Sequence, residues 1–183
     1  MLSSVDLDKL CIVCYPDPVL GEHCQAVSEF GPSLEALAAR MLDLMRADKG
    51  VGLSAPQVGL ALRLFVCNHT QNPEDDRVYV NPTLGDLIGS VEADEGCLSL
   101  PEVTVPVRRA DSVTLTACDT QGKALRATAG DLEARIWQHE TDHLDGRLII
   151  DHMPTSAELA NRRILKELKE KYQARKKKRV STR

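Results

Sequence analysis

Positions 138–146 read QHETDHLDG, with His139 and His143 four residues apart and Glu140 beside the first of them. On a helix, residues four apart share a face one turn apart, so two imidazoles can reach one metal ion. Glu140 is then placed to take a proton from a water without itself binding the metal. The alternative is a solvated helix face, which two histidines framing a glutamate fit poorly in a chain with five histidines in all. A hydrolytic metal site takes three protein ligands and leaves one position open. Zinc proteases with this motif find the third ligand downstream, but the position six residues after His143 is Ile149. Glu158 and Glu167 lie on an amphipathic segment and read as solvated charge. Upstream, EGCLS at 95–99 offers Cys97, whose thiolate suits a borderline divalent ion. By itself Cys97 reads more readily as a small buried side chain.

The elements that must position these groups follow from hydrophobic period. PSLEALAARMLDLMRADKG places Leu34, Leu37, Ala38, Met41, Leu42 and Met45 at helical spacing, with Ser33 as a cap and Gly50 and Gly52 as the stop. DLEARIWQHETDHLDG predicts a second helix from an Asp131 cap to a Gly146 stop. A third runs from about Ser156, with Leu159, Ile164, Leu165 and Leu168 as its apolar stripe. Strands are expected at 10–15, 63–68, 77–82 (stopped by Asn-Pro), 112–119, 123–129 and 147–154, with 91–101 as an acidic loop. The fold class expected is α+β: short antiparallel or mixed sheets packed around a central metal-binding helix, with an N-terminal and a long C-terminal helix. All 183 residues are expected to form one domain, with a basic C-terminal helix and tail over about 156–183.

Aromatics are 3% of the chain and the formal net charge is −4, which argues against base-stacking surfaces and a global attraction to phosphate. MLSSVDLDKL has neither secretory nor transit-peptide character, and no stretch approaches the ~18 apolar residues of a membrane span, so a cytoplasmic protein with reduced cysteines is expected. CIVC at 11–14 lacks the second cysteine pair of a structural zinc site and reads as packing, as do Cys67 and Cys118.

A third motif, GVGLSAPQ at 50–57, changes the weight of the others. GVGLSAPQ, EGCLS and QHETDH, in this order, resemble the signatures of bacterial and organellar peptide deformylases, over nearly the whole chain. Ser54 stands where many bacterial members have alanine and is similar to organellar ones. The resemblance implies removal of the N-formyl group from the initiator methionine of new proteins. It assigns Cys97, His139 and His143 as ligands of one divalent ion per chain, with Fe2+ native and Zn2+, Ni2+ or Co2+ as alternatives. It makes Glu140 the base that activates the attacking water and then protonates the leaving amine. The Gln57 side-chain amide and the Leu98 backbone N–H become the donors to the developing oxyanion, each typically worth ~10²–10³ in rate.

The partner implied is an N-formylmethionyl nascent peptide, paired as an added strand and flanked by Gly50, Val51, Gly52 and Gly96, with Val51, Leu132 and Ile136 lining the methionine pocket. Gly50 and Gly52 are expected to permit positive φ and close approach of a backbone. Glu95, Asp142 and Arg108 or Arg109 are candidates to orient the ligands. An Arg109–Asp142 pair would clamp the metal helix to the sheet, while His152 and Trp137 read as structural. The tail QARKKKRVSTR carries six basic residues and no acid, which fits either a solvated helix end or ribosomal RNA binding. The rival readings are an HExxH zinc endopeptidase and an inactive ribosome-associated binding module; no membrane partner is expected, and the sequence leaves the oligomeric state open.

Overall fold

The computed structural model describes residues 2–181, and the side chains of residue 2 and of 4–177. Thr182 and Arg183, at the end of the basic tail, lie outside the described residues. Three helices, α1 (Pro32–Ala47), α2 (Asp131–Leu144) and α3 (Thr155–Ser181), pack on antiparallel strands, which is the α+β class expected. The strands are β1 (Gly52–Ser54), β2 (Leu64–Cys67), β3 (Arg77–Ile88), β4 (Val91–Cys97), β5 (Leu100–Arg109), β6 (Ser112–Cys118) and β7 (Ala124–Gly130). Five of them form a sheet in the order β1-β2-β3-β6-β7, while β4 and β5 pair only with each other. β3 and β6 are direct neighbours, from Val80↔Cys118 to Ile88↔Ser112. The β4–β5 hairpin is therefore an excursion made between two strands that are already paired.

Each helix buries the stripe its period dictates. Leu34, Leu37, Ala38, Met41, Leu42 and Met45 of α1 are all buried against β1 and β2. α2 runs through the middle of the molecule and buries Ala134, Ile136, Trp137 and Leu144. Trp137 is 1% exposed and meets Tyr79 edge-on, with ring centroids 5.4 Å apart, and Tyr79 in turn meets Phe65. Phe65, Tyr79 and Trp137, three of the six aromatics of the chain, thus form one core anchor beside the site. α3 covers β5 through Ala157, Ile164, Leu165 and Leu168. Leu159 does not join that stripe; it is 67% exposed, because it lies two positions past Ala157 and so faces away from β5.

Several local expectations change. Residues 10–15 form no strand and end in a turn at Tyr15; they bridge two loops through Val13 N–H to Gln57 O (2.9 Å) and Tyr15 N–H to Ser99 O (2.9 Å). Asn81-Pro82 does not stop β3. The register breaks between Val80 and Thr83, Asn81 takes φ 52°, and its side chain bonds both backbone groups of Val27 (2.7 and 2.9 Å). A bulge tolerates a proline that cannot donate to a ladder. Residues 91–97 are strand rather than loop: Glu92 and Asp94 lie exposed on one face, Glu95 is buried on the other, and the backbone pairs with β5. Residues 149–152 form a 3-10 turn closed by Leu148 N–H to Asp151 (2.7 Å), not a strand. Gly31 rather than Ser33 precedes α1, and Gly130 rather than Asp131 precedes α2. Gly146, at φ 72°, ends α2 as expected; its missing Cβ would lie 2.7 Å from Gly21 O.

Candidate metal centre

Three segments meet at one end of α2. The helix brings His139 and His143 together with ring centroids 5.0 Å apart. β4 delivers Cys97 at its last position, where the register with β5 jumps from Gly96↔Thr104 to Cys97↔Leu100. Such an irregularity re-aims a side chain out of the ladder, and here the Cys97 Sγ lies 3.3 Å from His143 Nε2. Among the described residues, Cys97, His139 and His143 are the group whose ligand atoms all lie within 4.8 Å of one another. A sulfur ~2.3 Å and a nitrogen ~2.0–2.1 Å from one tetrahedral ion would be about 3.5 Å apart, so the donors suit a single ion. Ile149 is buried in the core and offers no ligand.

The third segment supplies Gln57. Ser54 donates to Gln57 Oε1 from both its backbone N–H (2.8 Å) and its hydroxyl (2.9 Å). This reciprocal cap turns the amide nitrogen toward Cys97 Sγ, 3.4 Å away. Both residues are fully buried. Glu140 is 3% exposed, and its Oε2 has no hydrogen-bond partner among the described residues. Burial raises its carboxyl to about 7. An unpaired buried carboxylate oxygen is costly and marks a place where a polar reactant belongs.

His139 is oriented by Glu95, whose Oε2 accepts from Nδ1 at 2.9 Å and leaves Nε2 for a metal. Glu95 is 6% exposed and receives two bonds from Arg109 (3.0 Å each) and one from Arg135 (2.7 Å). Burial alone would raise the Glu95 carboxyl, but the bonds from His139 and Arg109 more than reverse it and hold it well below the usual carboxylate range. Arg109 also pairs with Asp142, which accepts from His152 Nε2 at 2.9 Å. The expected clamp between β5 and α2 is therefore present, with Arg109 as the arginine. Arg108 is exposed and pairs with Glu92 (3.1 Å).

A cavity of about 510 Å³ opens onto the cluster, lined by Gly50, Val51, Gly52, Gly96, Leu132 and Ile136, all six expected substrate contacts, and by Gln57, Cys97, Leu98, His139 and Glu140. Leu132 is 49% exposed at the mouth and Ile136 is buried at the wall. The glycines matter for a reason other than φ. Neither Gly50 nor Gly52 has positive φ; Lys49 takes that conformation at the end of α1 (φ 56°). A Cβ at Gly52 would lie 2.3 Å from Glu140 Oε1, and one at Gly50 would lie 2.7 Å from Leu98 Cδ1. They make room for side chains of the site itself.

Among the cysteines, Cys24 and Cys67 are buried and Cys14 and Cys118 half-buried, while Cys11 is exposed and so does not pack. Sequence reasoning passed over Arg135 and the anchoring role of Ser54. Arg135 precedes His139 by four residues, so the helical period that joined His139 to His143 also pointed to it.

The polypeptide deformylase family model matches residues 9–158. The chain is 40% identical to the peptide deformylase of Dictyoglomus turgidum over 144 residues, covering 79% of this chain and 92% of that one. It is 40% identical to peptide deformylase 1B, chloroplastic/mitochondrial, of Arabidopsis thaliana over 167 residues, covering 90% and 61%. Among solved structures, a peptide deformylase of Plasmodium falciparum superposes with a TM-score of 0.86 at 35% identity, covering 89% of this chain and 97% of that one. A plant peptide deformylase gives 0.87 at 39%, covering 91% and 92%. With the fold, the ligand cluster and these matches in agreement, the chain belongs to the polypeptide deformylase family.

Proposed function

We propose that this chain is a metal-dependent hydrolase that removes the formyl group from the N-terminal methionine of newly made polypeptides. The observation that carries the reading is the convergence of Cys97, His139 and His143 within 4.8 Å, in a cavity that also presents Glu140 and Gln57. The donor set, one thiolate and two imidazoles, suits Fe2+, Zn2+, Ni2+ or Co2+, and we assign Fe2+ as the native ion. A bound ion would supply Lewis acidity at the open position between these ligands.

The chain's own groups do the rest. Glu140, buried and unpaired at Oε2, takes the proton of the attacking water and returns one to the departing amine. The Gln57 amide, held by Ser54, and the Leu98 backbone N–H donate to the oxyanion. The peptide lies between Gly50–Gly52 and the segment around Gly96, with its methionine against Val51, Leu132 and Ile136. The chain works as one domain over 1–183, in the cytoplasm. Among the described residues no helix is long and apolar enough to cross a membrane.

Turnover of formyl-Met-Ala-Ser set against casein tests the reading. The native chain deformylates the peptide and spares casein. Cys97→Ala loses metal and activity together, and Glu140→Ala keeps metal and loses turnover. Casein cleavage, or full activity in Glu140→Ala, refutes it. Anaerobic purification with metal analysis tests the choice of iron.

The basic end of α3 supports a second contact, with the ribosome. Past Leu168, the last buried residue of α3 among the described side chains, Arg175, Lys176 and Lys177 are exposed. Truncation at Gln173 should weaken ribosome binding in a salt-dependent way and leave hydrolysis of the free peptide unchanged. Equal binding by both forms refutes that contact.

A further inference from the structure

Arg135 is a charged residue in an apolar wall. It stands on α2 between Leu132 and Ile136, lines the same cavity, and is 9% exposed. A guanidinium taken out of water costs several kcal/mol unless every donor finds a partner. Arg135 finds three: Nη1 donates to Glu95 Oε1 (2.7 Å) and Val107 O (3.0 Å), and Nη2 donates to Val91 O (2.9 Å). Val91 opens β4 and Val107 lies near the end of β5, opposite Ala93, so both carbonyls belong to the base of the hairpin that carries Cys97 at its far end.

The position of these bonds gives them leverage. The pairing of Glu95 with Arg109 is internal to the hairpin, because both residues lie on it. The side chains that tie the hairpin's carboxylate to α2 are His139 and Arg135. β4 runs six residues from Val91 to Cys97, or ~20 Å. A tilt of about 5° at its base would carry Cys97 through about 1.7 Å over that length, enough to spoil a metal–sulfur bond.

Resting on the metal-site reading above, we propose that Arg135 is a positioning residue: it sets the hairpin bearing Cys97 against the helix bearing His139 and His143, and holds the Glu95 carboxylate in line for His139. It touches neither the reacting atoms nor a ligand directly. An apolar side chain of similar volume would pack in its place, and Glu95 would keep both bonds from Arg109.

The test measures Zn2+ affinity of the full chain by competition with a chromophoric chelator, in the native protein, Arg135→Met, Arg135→Lys, Glu95→Gln and the Arg135→Met/Glu95→Gln double variant. Loss of an outer partner of a ligand histidine typically weakens metal binding ~10–100-fold. Arg135→Met should fall in that range, and the double variant should bind no more weakly than about threefold below the worse single one, since both act through one linkage. Arg135→Lys keeps a cation near Glu95 but cannot fork to two carbonyls, and should lie between the native chain and Arg135→Met. Zinc affinity in Arg135→Met within threefold of native, or losses that simply multiply in the double variant, would overturn the proposal. If Arg135→Met does not fold, Arg135→Lys decides alone: a loss of threefold or more supports the role and unchanged affinity refutes it. A native chain that fails to bind zinc would sink the metal-site reading itself, which is a separate result.

Discussion

Gly52→Ala puts the proposed base under direct strain. The added Cβ would sit 2.3 Å from Glu140 Oε1, 2.9 Å from its Cδ and 3.0 Å from Ile136 Cγ2. Contacts under 3.0 Å are essentially never adopted by real Cβ atoms, so the carboxylate oxygen must retreat by at least 0.7 Å (3.0 − 2.3). A side chain gives way more readily than the backbone of β1, whose three residues pair with β2. The strain therefore falls on the position of Glu140. A misplacement of about 1 Å at a catalytic group costs on the order of 10²-fold in rate. Because the carboxylate can swing, the cost to the fold stays near 1 kcal/mol, the low end of overpacking penalties. For a chain of this length that is about 2–4 °C in Tm. Steady-state kinetics on formyl-Met-Ala-Ser, zinc content and a thermal melt, run beside Gly21→Ala, make the comparison. A Cβ at Gly21 meets nothing within 4 Å. We expect kcat about 10²-fold lower in Gly52→Ala, with metal retained, and native behaviour in Gly21→Ala. Gly52→Ala with more than half the native kcat would refute the reasoning, since Glu140 would then tolerate displacement or lie elsewhere.

Ser54→Ala removes one of two bonds to Gln57 Oε1 and leaves the backbone N–H in place. A hydrogen bond of about 1 kcal/mol predicts up to about fivefold lower kcat with KM little changed, and a loss beyond a hundredfold would mean that the hydroxyl does more than anchor the amide. Arg109→Leu strips Glu95 of two bonds and Asp142 of its arginine inside a buried cluster. Metal-free protein should lose about 3–5 kcal/mol in urea unfolding, and a loss under 1 kcal/mol would show that the clamp carries no stability. Burial pushes the Cys24 thiol up to about 11 and moves the Cys67 thiol and Tyr79 hydroxyl in the same direction. An unfolded chain ionises these groups from about pH 9 while the folded chain keeps them neutral, so stability is full below pH 9 and falls as pH rises toward 11. The urea midpoint of metal-free protein should drop between pH 8.5 and 10.5; a flat or rising midpoint would contradict the burial of these groups.

What could be read from the sequence divides by the range of the interaction that fixes it. His139 and His143 meet through the period of one helix, and the buried stripe of α1 follows from the same rule, so both were legible. Cys97 was not legible from its own neighbourhood. Its aim depends on a register jump opposite Leu100 and on a hairpin inserted between β3 and β6, and only the order of three motifs pointed to it. β3 continued through Asn81-Pro82 because Val27, 54 residues away, satisfies the asparagine. The stretch 10–15 looked like a strand but found no strand partner, since its backbone donors go to Gln57 and Ser99. The spacing of Gly50 and Gly52 suggests a backbone role, whereas the side chains of Leu98 and Glu140 dictate them. These differences concern partners distant in sequence, whereas the 149–152 turn, closed by Leu148 and Asp151, is a local one.

The same distinction explains why the clamp around the site has the charges it has. Glu95 and Asp142 contribute two negative charges, and Arg109 and Arg135 two positive ones, in a cluster whose side chains are at most 15% exposed. The cluster is neutral by itself and fully bonded, so it can be buried and rigid before any ion arrives. That leaves the charge of a divalent ion to be met by groups outside the cluster, the Cys97 thiolate and the Glu140 carboxylate. An arginine at 135 completes that balance: with an apolar residue there the buried support would carry a net negative charge at Glu95, next to His139.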